Sequence, residues 1–182
     1  MNNKTIQPHN PGGKVKTKLK SEVIGSALFS PDRIYRYSLT RHWGDGDKKI
    51  LWIGMNPSTA DENHNDPTCT REMNYTKDWG YNHYIKCNVM DWRATFPKDI
   101  PTEEGKAASA AGREVLLNYA KESTMTIAGW GKLPKKLEHE SLAVKTLLLE
   151  NNIPLYVLGL NKNGSPKHPL YLKKDLKPFK WI

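Results

Sequence analysis

The sequence predicts an α/β fold: a three-layer α/β/α arrangement around a mostly parallel central sheet of about four strands, with an N-terminal hairpin. Two observations predict it. Short apolar runs that suit buried strands alternate with longer segments of helical periodicity, and this order is typical of a parallel sheet covered by helices. Most of the apolar runs also lead directly into a polar or glycine-containing cluster, as strands do at a ligand-binding edge.

Five short runs predict the strands. Residues 35–40 alternate and are rich in strand-forming residues. A Gly-Asp turn at 44–47 joins them to residues 50–53, which predicts a hairpin. The other predicted strands are runs that suit the interior of a sheet, at 84–89, 124–128 and 155–158.

Three intervening segments predict helices. Residues 68–79 follow Asp66, a helix-start signal, and precede Gly80, a helix-stop signal. Residues 112–121 carry apolar side chains at helical spacing, and residues 137–151 form the third helical segment.

Length and composition predict one α/β domain, residues 21–182, preceded by a flexible basic arm, residues 1–20. A chain of 182 residues is long enough to bury a core, whereas the first twenty residues are polar and carry lysines without any acidic residue. No apolar run is long enough for a membrane helix or a signal peptide. The two cysteines do not form a disulfide framework, so a cytoplasmic protein is expected.

The net charge of +9, from 28 Lys and Arg against 19 Asp and Glu, predicts an anionic partner. We expect nucleic acid, DNA above all, or a nucleotide; a basic protein without such a partner is the alternative. Six lysines near the C-terminus add to those of the arm: Lys162, Lys167, Lys173, Lys174, Lys177 and Lys180. Metal-ligand spacing and dinucleotide or phosphate-loop motifs are absent from the sequence, so no metal and no cofactor is expected.

Polar clusters follow the predicted core strands, and together they form the candidate site. They contain Asn56, Asn88, Trp130 and His168. Since parallel strands end at one edge of a sheet, these four side chains are expected to line one cleft. The alternative is that the asparagines cap backbone groups and that Trp130 belongs to the core, which are common roles of these residue types.

Motifs spread over most of the chain closely resemble one family, the domain of unknown function numbered 1643. The resemblance extends from about residue 27 to about residue 172. It is carried by residues 35–39, 54–61, 66–68, 71, 79–81, 93–95, 130–131 and 166–172. This family implies little about activity.

Three segments are also similar to the uracil-DNA glycosylase superfamily, in its mismatch-specific branch. Residues 54–57 (Gly-Met-Asn-Pro) resemble the first catalytic motif of that superfamily. Residues 86–88, followed by Arg93, resemble its central segment, and His168 with the following proline resembles its closing motif. Ser58 stands where that superfamily has glycine, and residues 170–171 (Leu-Tyr) where it has serine-proline. The resemblance implies a uracil-DNA-glycosylase-like fold and hydrolysis of an N-glycosidic bond.

Three residues are the predicted catalytic set: Asn56, His168 and Asp66. Asn56 would position a water molecule, because an amide is a poor general base. His168 would donate a hydrogen bond to a base carbonyl as negative charge develops there. Asp66, or Asp61 as the alternative, would act as the general base.

The predicted substrate-binding residues come from the same clusters and motifs. Asn88 would recognise the edge of a base, and Trp130, or Trp92 as the alternative, would stack on it. Arg71 would contact a phosphate, with an ion pair to Asp66 as the alternative. The complete set is Met55, Pro57, Ser58, Thr59, Asn88, Arg71, Arg93, Trp130 and Lys167.

The sequence therefore predicts a glycosylase-like protein that acts on a nucleobase in DNA or in a nucleotide. Two alternatives remain open at this point. One is a non-catalytic protein that binds nucleic acid or a nucleotide in the same pocket. The other is a hydrolase or transferase that acts on a free modified nucleotide.

Overall fold

A seven-stranded mixed sheet forms the centre of the computed structural model, which describes residues 9–13 and 15–182. The strands are β1 (Thr17–Lys18), β2 (Ile24–Phe29), β3 (Arg36–His42), β4 (Lys49–Gly54), β5 (His64–Asn65), β6 (His83–Asn88), β7 (Met125–Ala128), β8 (Leu155–Val157) and β9 (Phe179–Lys180). The helices are α1 (Pro67–Asp78), α2 (Ala110–Glu122) and α3 (Glu138–Glu150). The strand order of the large sheet is β2-β3-β6-β4-β7-β8-β9, and β1 pairs with β5 separately.

Strand β4 lies at the centre of the sheet because it is apolar on both faces. Residues 50–53 of this strand are fully buried, as is typical of an interior parallel strand. β4 pairs in parallel with β6 on one side and with β7 on the other, and β7 pairs in parallel with β8. The carboxyl ends of these strands therefore lie along one edge.

The predicted three-layer fold around a mostly parallel sheet of about four strands is wrong. Strands β2, β3 and β9 add antiparallel pairs at the two sides of the sheet, which makes it mixed and seven-stranded. The sequence pattern did not predict β2, because its residues alternate between exposed and half-buried positions and so form no apolar run. β9 is two residues long, too short for a pattern to show.

The hairpin predicted between residues 35–40 and 50–53 is also wrong. β3 pairs antiparallel with β2 and with β6, and β6 lies between β3 and β4. The hairpin near the N-terminus is formed by β2 and β3 instead. Since both edges of β4 are taken by parallel partners, the turn at 44–47 connects strands that are not neighbours in the sheet.

The three predicted helices are confirmed, with ends shifted by one or two residues. Alternate residues of β4 face opposite sides of the sheet. Ile53 belongs to an apolar cluster with Leu116 of α2 and Leu148 of α3, whereas Trp52 belongs to a second cluster with Tyr75 of α1. No helix in the described part of the chain is long and apolar enough to cross a membrane.

Part of the predicted basic arm, residues 1–8 and 14, lies outside the described residues. Of the remainder, Thr17–Lys18 pairs antiparallel with His64–Asn65. The Thr95 hydroxyl donates a hydrogen bond to the carbonyl of Pro11, at 2.8 Å. The flexibility of the arm and the domain boundary after residue 20 remain predictions.

Candidate functional site

A cavity of about 210 Å³ opens at the carboxyl ends of β4 and β6. It is smaller than the clefts of about 300–1,000 Å³ that hold drug-sized ligands, so its size suits a single heterocycle. The loop after β4, the end of β6, the start of α1 and the C-terminal loop all contribute to it. The lining residues are Arg36, Gly54, Met55, Asn56, Ser58, Asp66, Thr68, Cys69, Lys86, Asn88, Ala94, Thr95, Pro97 and His168.

Asn56 is held in one orientation by the backbone around it. Its Nδ2 donates to the carbonyl oxygens of Pro57, at 3.0 Å, and Ala94, at 2.8 Å. The amide nitrogen of Ala94 in turn donates to the Pro57 carbonyl, at 2.9 Å. Because both Nδ2 hydrogens are used, Oδ1 is the atom with which Asn56 can accept a hydrogen bond from water or ligand.

A buried ion pair lies beside the cavity. The Lys86 ammonium is 2.5 Å from Oε1 of Glu72, and the Tyr84 hydroxyl donates to Oε2 of Glu72 at 2.8 Å. Glu72 is fully buried and Lys86 nearly so. Burial raises the pKa of Glu72, although Lys86 and Tyr84 oppose the shift. The pair is costly to break, because either partner alone would be an uncompensated buried charge.

Gly54 lets the side chains of β6 approach the end of β4. A Cβ atom at Gly54 would lie 2.5 Å from Nζ of Lys86 and 2.9 Å from Oδ1 of Asn88. Real Cβ atoms do not tolerate a contact of 2.5 Å. Any larger residue at this position would therefore push the ammonium or the amide away from its place in the cavity wall.

Asn88 carries an amide whose hydrogen-bonding groups are both unused. It ends β6, lines the cavity and is 6% exposed. Among the described residues, neither Nδ2 nor Oδ1 has a hydrogen-bond partner. A buried polar group without a partner costs about 1–3 kcal/mol. Asn88 therefore offers one donor and one acceptor to a molecule that enters the cavity.

The two candidate carboxylates differ in position. Asp66 lines the cavity and caps α1, where its Oδ1 accepts from the amide nitrogen of Cys69 at 2.8 Å. Asp61 is not a lining residue and is bound to His64 and Lys16. Burial alone would raise the pKa of Asp61, but hydrogen bonds from Asn63, His64 and Lys16 outweigh it and lower the pKa to about 2. Of the two candidates, Asp66 is therefore the carboxylate in the cavity wall.

His168 reaches the cavity from the C-terminal loop. Its Nδ1 accepts a hydrogen bond from the amide nitrogen of Leu170 at 3.4 Å. Helix α1 holds the segment that follows, since Arg71 and Tyr75 donate to the carbonyls of Leu172 and Lys173. The imidazole is thus presented on a loop that is fixed to the rest of the site.

Thiolate chemistry finds no support in the cavity. Burial raises the pKa of the Cys69 thiol to about 12, so Cys69 stays protonated at neutral pH and is no nucleophile. Within residues 9–13 and 15–182, no cluster of three or more His, Cys, Asp or Glu side chains is arranged to hold a metal ion.

Comparison with known proteins shows the family of the chain. The family model described as "Protein of unknown function (DUF1643)" matches residues 36–170. The chain belongs to this family. No curated protein and no solved structure matches it, and the resemblance to the uracil-DNA glycosylase superfamily is not confirmed.

In this DUF1643 protein, half of the predicted site residues line the cavity. They are Met55, Asn56, Ser58, Asp66, Asn88 and His168. Pro57 and Thr59 are buried in the same loop without lining it, and Lys167 is exposed beside His168.

The other predicted residues lie elsewhere. Trp130 is buried in the core and lines a second cavity, with its ring centroid 5.9 Å from that of Trp181. Arg93 is buried and donates to the carbonyls of His9 and Arg33 at 2.9 and 2.8 Å. Arg71 is engaged by the C-terminal loop. The expectation that Trp130 shares a cleft with Asn56 is therefore wrong.

The predicted site omitted three charged residues, namely Arg36, Lys86 and Glu72. Each is buried, and Arg36 and Lys86 line the cavity. A signal was present in the sequence: Lys86 lies between the apolar residues Ile85 and Cys87 of a predicted strand, and Glu72 lies at helical spacing from Cys69 and Tyr75 on the buried side of α1. A charged residue at a core position indicates a partner or a ligand.

Replacement of Gly54 by alanine tests the close approach of β6 to β4. We expect Gly54→Ala to lower the free energy of unfolding by about 1–3 kcal/mol, because the new methyl group overpacks a well-filled site. Urea unfolding measures the loss. Gly159→Ala is the matched control, since the nearest atom to its Cβ would be the Lys167 Cδ at 3.3 Å, on an exposed side chain. Equal stability of the two variants would contradict the proposed contact.

Proposed function

We propose that this protein binds a nucleobase in the cavity and hydrolyses its N-glycosidic bond. The observation that carries the proposal is the amide of Asn88, which is buried, lines the cavity and has no partner among the described residues. A nucleobase edge presents neighbouring donors and acceptors, and an amide can pair with both. The cavity volume of about 210 Å³ supports a ligand of this size.

The hydrolysis needs a water molecule placed against the sugar carbon. In the proposal, Oδ1 of Asn56 accepts a hydrogen bond from this water, since Nδ2 is already bound to the Pro57 and Ala94 carbonyls. The fixed amide selects one direction of attack. Such preorganisation lowers the barrier, because the water need not be ordered during the reaction.

In the proposed reaction, water replaces the base on the sugar. The water oxygen bonds to the anomeric carbon, and the bond from that carbon to the base nitrogen breaks. The electron pair goes to the base, and Asp66 accepts a proton from the water. Nε2–H of His168 donates to a carbonyl oxygen of the base, where negative charge grows. Asp66 and His168 both line the cavity, which supports these roles.

A non-catalytic binding protein is the second candidate. It is favoured by the position of Asp66, whose carboxylate already caps α1 through the amide nitrogen of Cys69. A carboxylate oxygen that caps a helix has a structural role that requires no proton transfer. The two candidates share the ligand and differ in whether base is released.

The residues assigned to chemistry are tested by activity. Oligonucleotides and nucleotides that carry uracil, mismatched bases or modified pyrimidines are incubated with the protein, and free base and abasic product are measured. We expect Asn56→Ala and His168→Ala each to lower the rate by about 10²–10³, as loss of a preorganised polar contact does. Both variants should stay folded, because Asn56 is half-buried and His168 is exposed.

Matched controls are available on the same protein. Asn74→Ala and His139→Ala change the same residue types at exposed positions outside the cavity, and they should keep the parent rate. Base release that survives in both Asn56→Ala and His168→Ala would refute the assigned roles. Binding without any release by the parent would leave the binding protein as the better candidate.

A nucleic acid strand is the partner that the surface next to the cavity supports. His168 also lines a neighbouring open depression, together with Lys132 and Lys162. Both lysines are exposed, and ammonium groups beside a base-binding cavity suit the phosphates that flank the base. We therefore propose that the base is bound as part of a polynucleotide.

The salt dependence of oligonucleotide binding tests whether the partner is a polynucleotide. Binding of an oligonucleotide should weaken with salt, and the double variant Lys132→Ala/Lys162→Ala should have a shallower slope by about 1.4–1.8 in log K against log salt, because each phosphate contact releases condensed counterions. The control Lys121→Ala changes an exposed lysine of α2 and should leave the slope unchanged. An unaltered slope in the double variant, together with tight binding of free nucleotide, would contradict the proposal that the base is bound as part of a polynucleotide.

A further inference from the structure

Arg36 places a buried positive charge in the wall of the cavity. It is 1% exposed, and its Nη1 donates to the carbonyl of Ala60 at 2.8 Å. Its Nε has no hydrogen-bond partner among the described residues. In the described part of the chain, the ion pairs do not include Arg36.

The other charges of the cavity are already compensated. Lys86 is paired with Glu72 at 2.5 Å. Asp66 lies at the positive end of α1 and accepts from the amide nitrogen of Cys69, an arrangement that stabilises a carboxylate. Arg36 is thus a cavity charge that forms no ion pair among the described residues.

We infer that the cavity binds its nucleobase as an anion and that Arg36 is a catalytic residue that stabilises the departing base. The inference rests on the proposed function, since it takes the occupant to be a nucleobase. When the glycosidic bond breaks, the bonding electron pair stays on the base nitrogen and spreads over the ring and its carbonyl oxygens. The N–H groups of Arg36 donate to this anion, and no proton needs to leave the arginine. A buried cation costs free energy in the empty site and recovers it as the anion forms.

Free bases of different acidity test the inference without any need for catalysis. The probes are uracil with the more acidic 5-fluorouracil, and hypoxanthine with the more acidic xanthine, each measured by titration calorimetry at one pH and ionic strength. We expect the parent to prefer the more acidic base of a pair by about tenfold or more, the effect of a hydrogen bond to a charged group. The ratio of two dissociation constants in one variant does not depend on how much of that variant is folded.

Variants of Arg36 test whether the preference for the more acidic base depends on this residue. Arg36→Gln should reduce the ratio to near one, whereas Arg36→Lys should retain part of it because the charge remains. Arg33→Gln is the matched control: Arg33 is bound to Glu62 and does not line the cavity, so the parent ratio should persist. The rate of base release should fall with Arg36→Gln by about 10²–10³.

The possible failures are distinguishable. An unchanged ratio and an unchanged rate in Arg36→Gln would overturn the role of Arg36 while base release by the parent upheld the proposed function. A charge preference that depends on Arg36, without base release from any substrate, would uphold the anion site and refute the hydrolysis. Failure of all four bases to bind would overturn the inference.

Discussion

The missing side chain at Gly54 is the constraint on which the site depends. The ammonium of Lys86 and the amide oxygen of Asn88 lie 2.5 and 2.9 Å from where its Cβ would be. β4 and β6 are paired in parallel so that Gly54 is opposite Asn88. A strand end without a side chain thus gives room for two polar side chains of its neighbour, and the cavity forms above them.

Charged side chains of opposite sign reach the cavity region from separate elements of the fold. Lys86 arrives on β6, Glu72 on α1 and Arg36 on β3, and only the first two form an ion pair. A buried pair contributes little net stability, but the loss of one partner is costly, so the pair fixes α1 against β6. Helix α1 also binds the C-terminal loop through Arg71 and Tyr75. Helix α1 therefore fixes both the Lys86–Glu72 ion pair beside the cavity and the loop that carries His168.

The sequence revealed the parts of the site that depend on local patterns. The turn at Gly54 and Pro57 placed Asn56 at a strand end, and strand order brought Asn88 and His168 to the same cavity. It could not reveal the edge strands β2 and β9, because half-exposed or two-residue strands leave no apolar run. Trp130 followed a strand as predicted, but its large apolar surface is buried in the core. Arg36 was missed because its burial is set by tertiary packing, which no local pattern encodes.

The proposed contact between Asn88 and a nucleobase can be observed directly at the side-chain amide. In a ¹⁵N-labelled protein, the Nδ2–H₂ resonances of Asn88 are assigned by their loss in Asn88→Asp, and nucleobases are titrated into the parent. We expect saturable shifts of these resonances at the concentrations that fit calorimetric binding, while the Nδ2–H₂ resonances of Asn151, bound to the Leu147 carbonyl at 2.9 Å, stay in place. Resonances of Asn88 that do not move at saturating base would contradict the proposed contact.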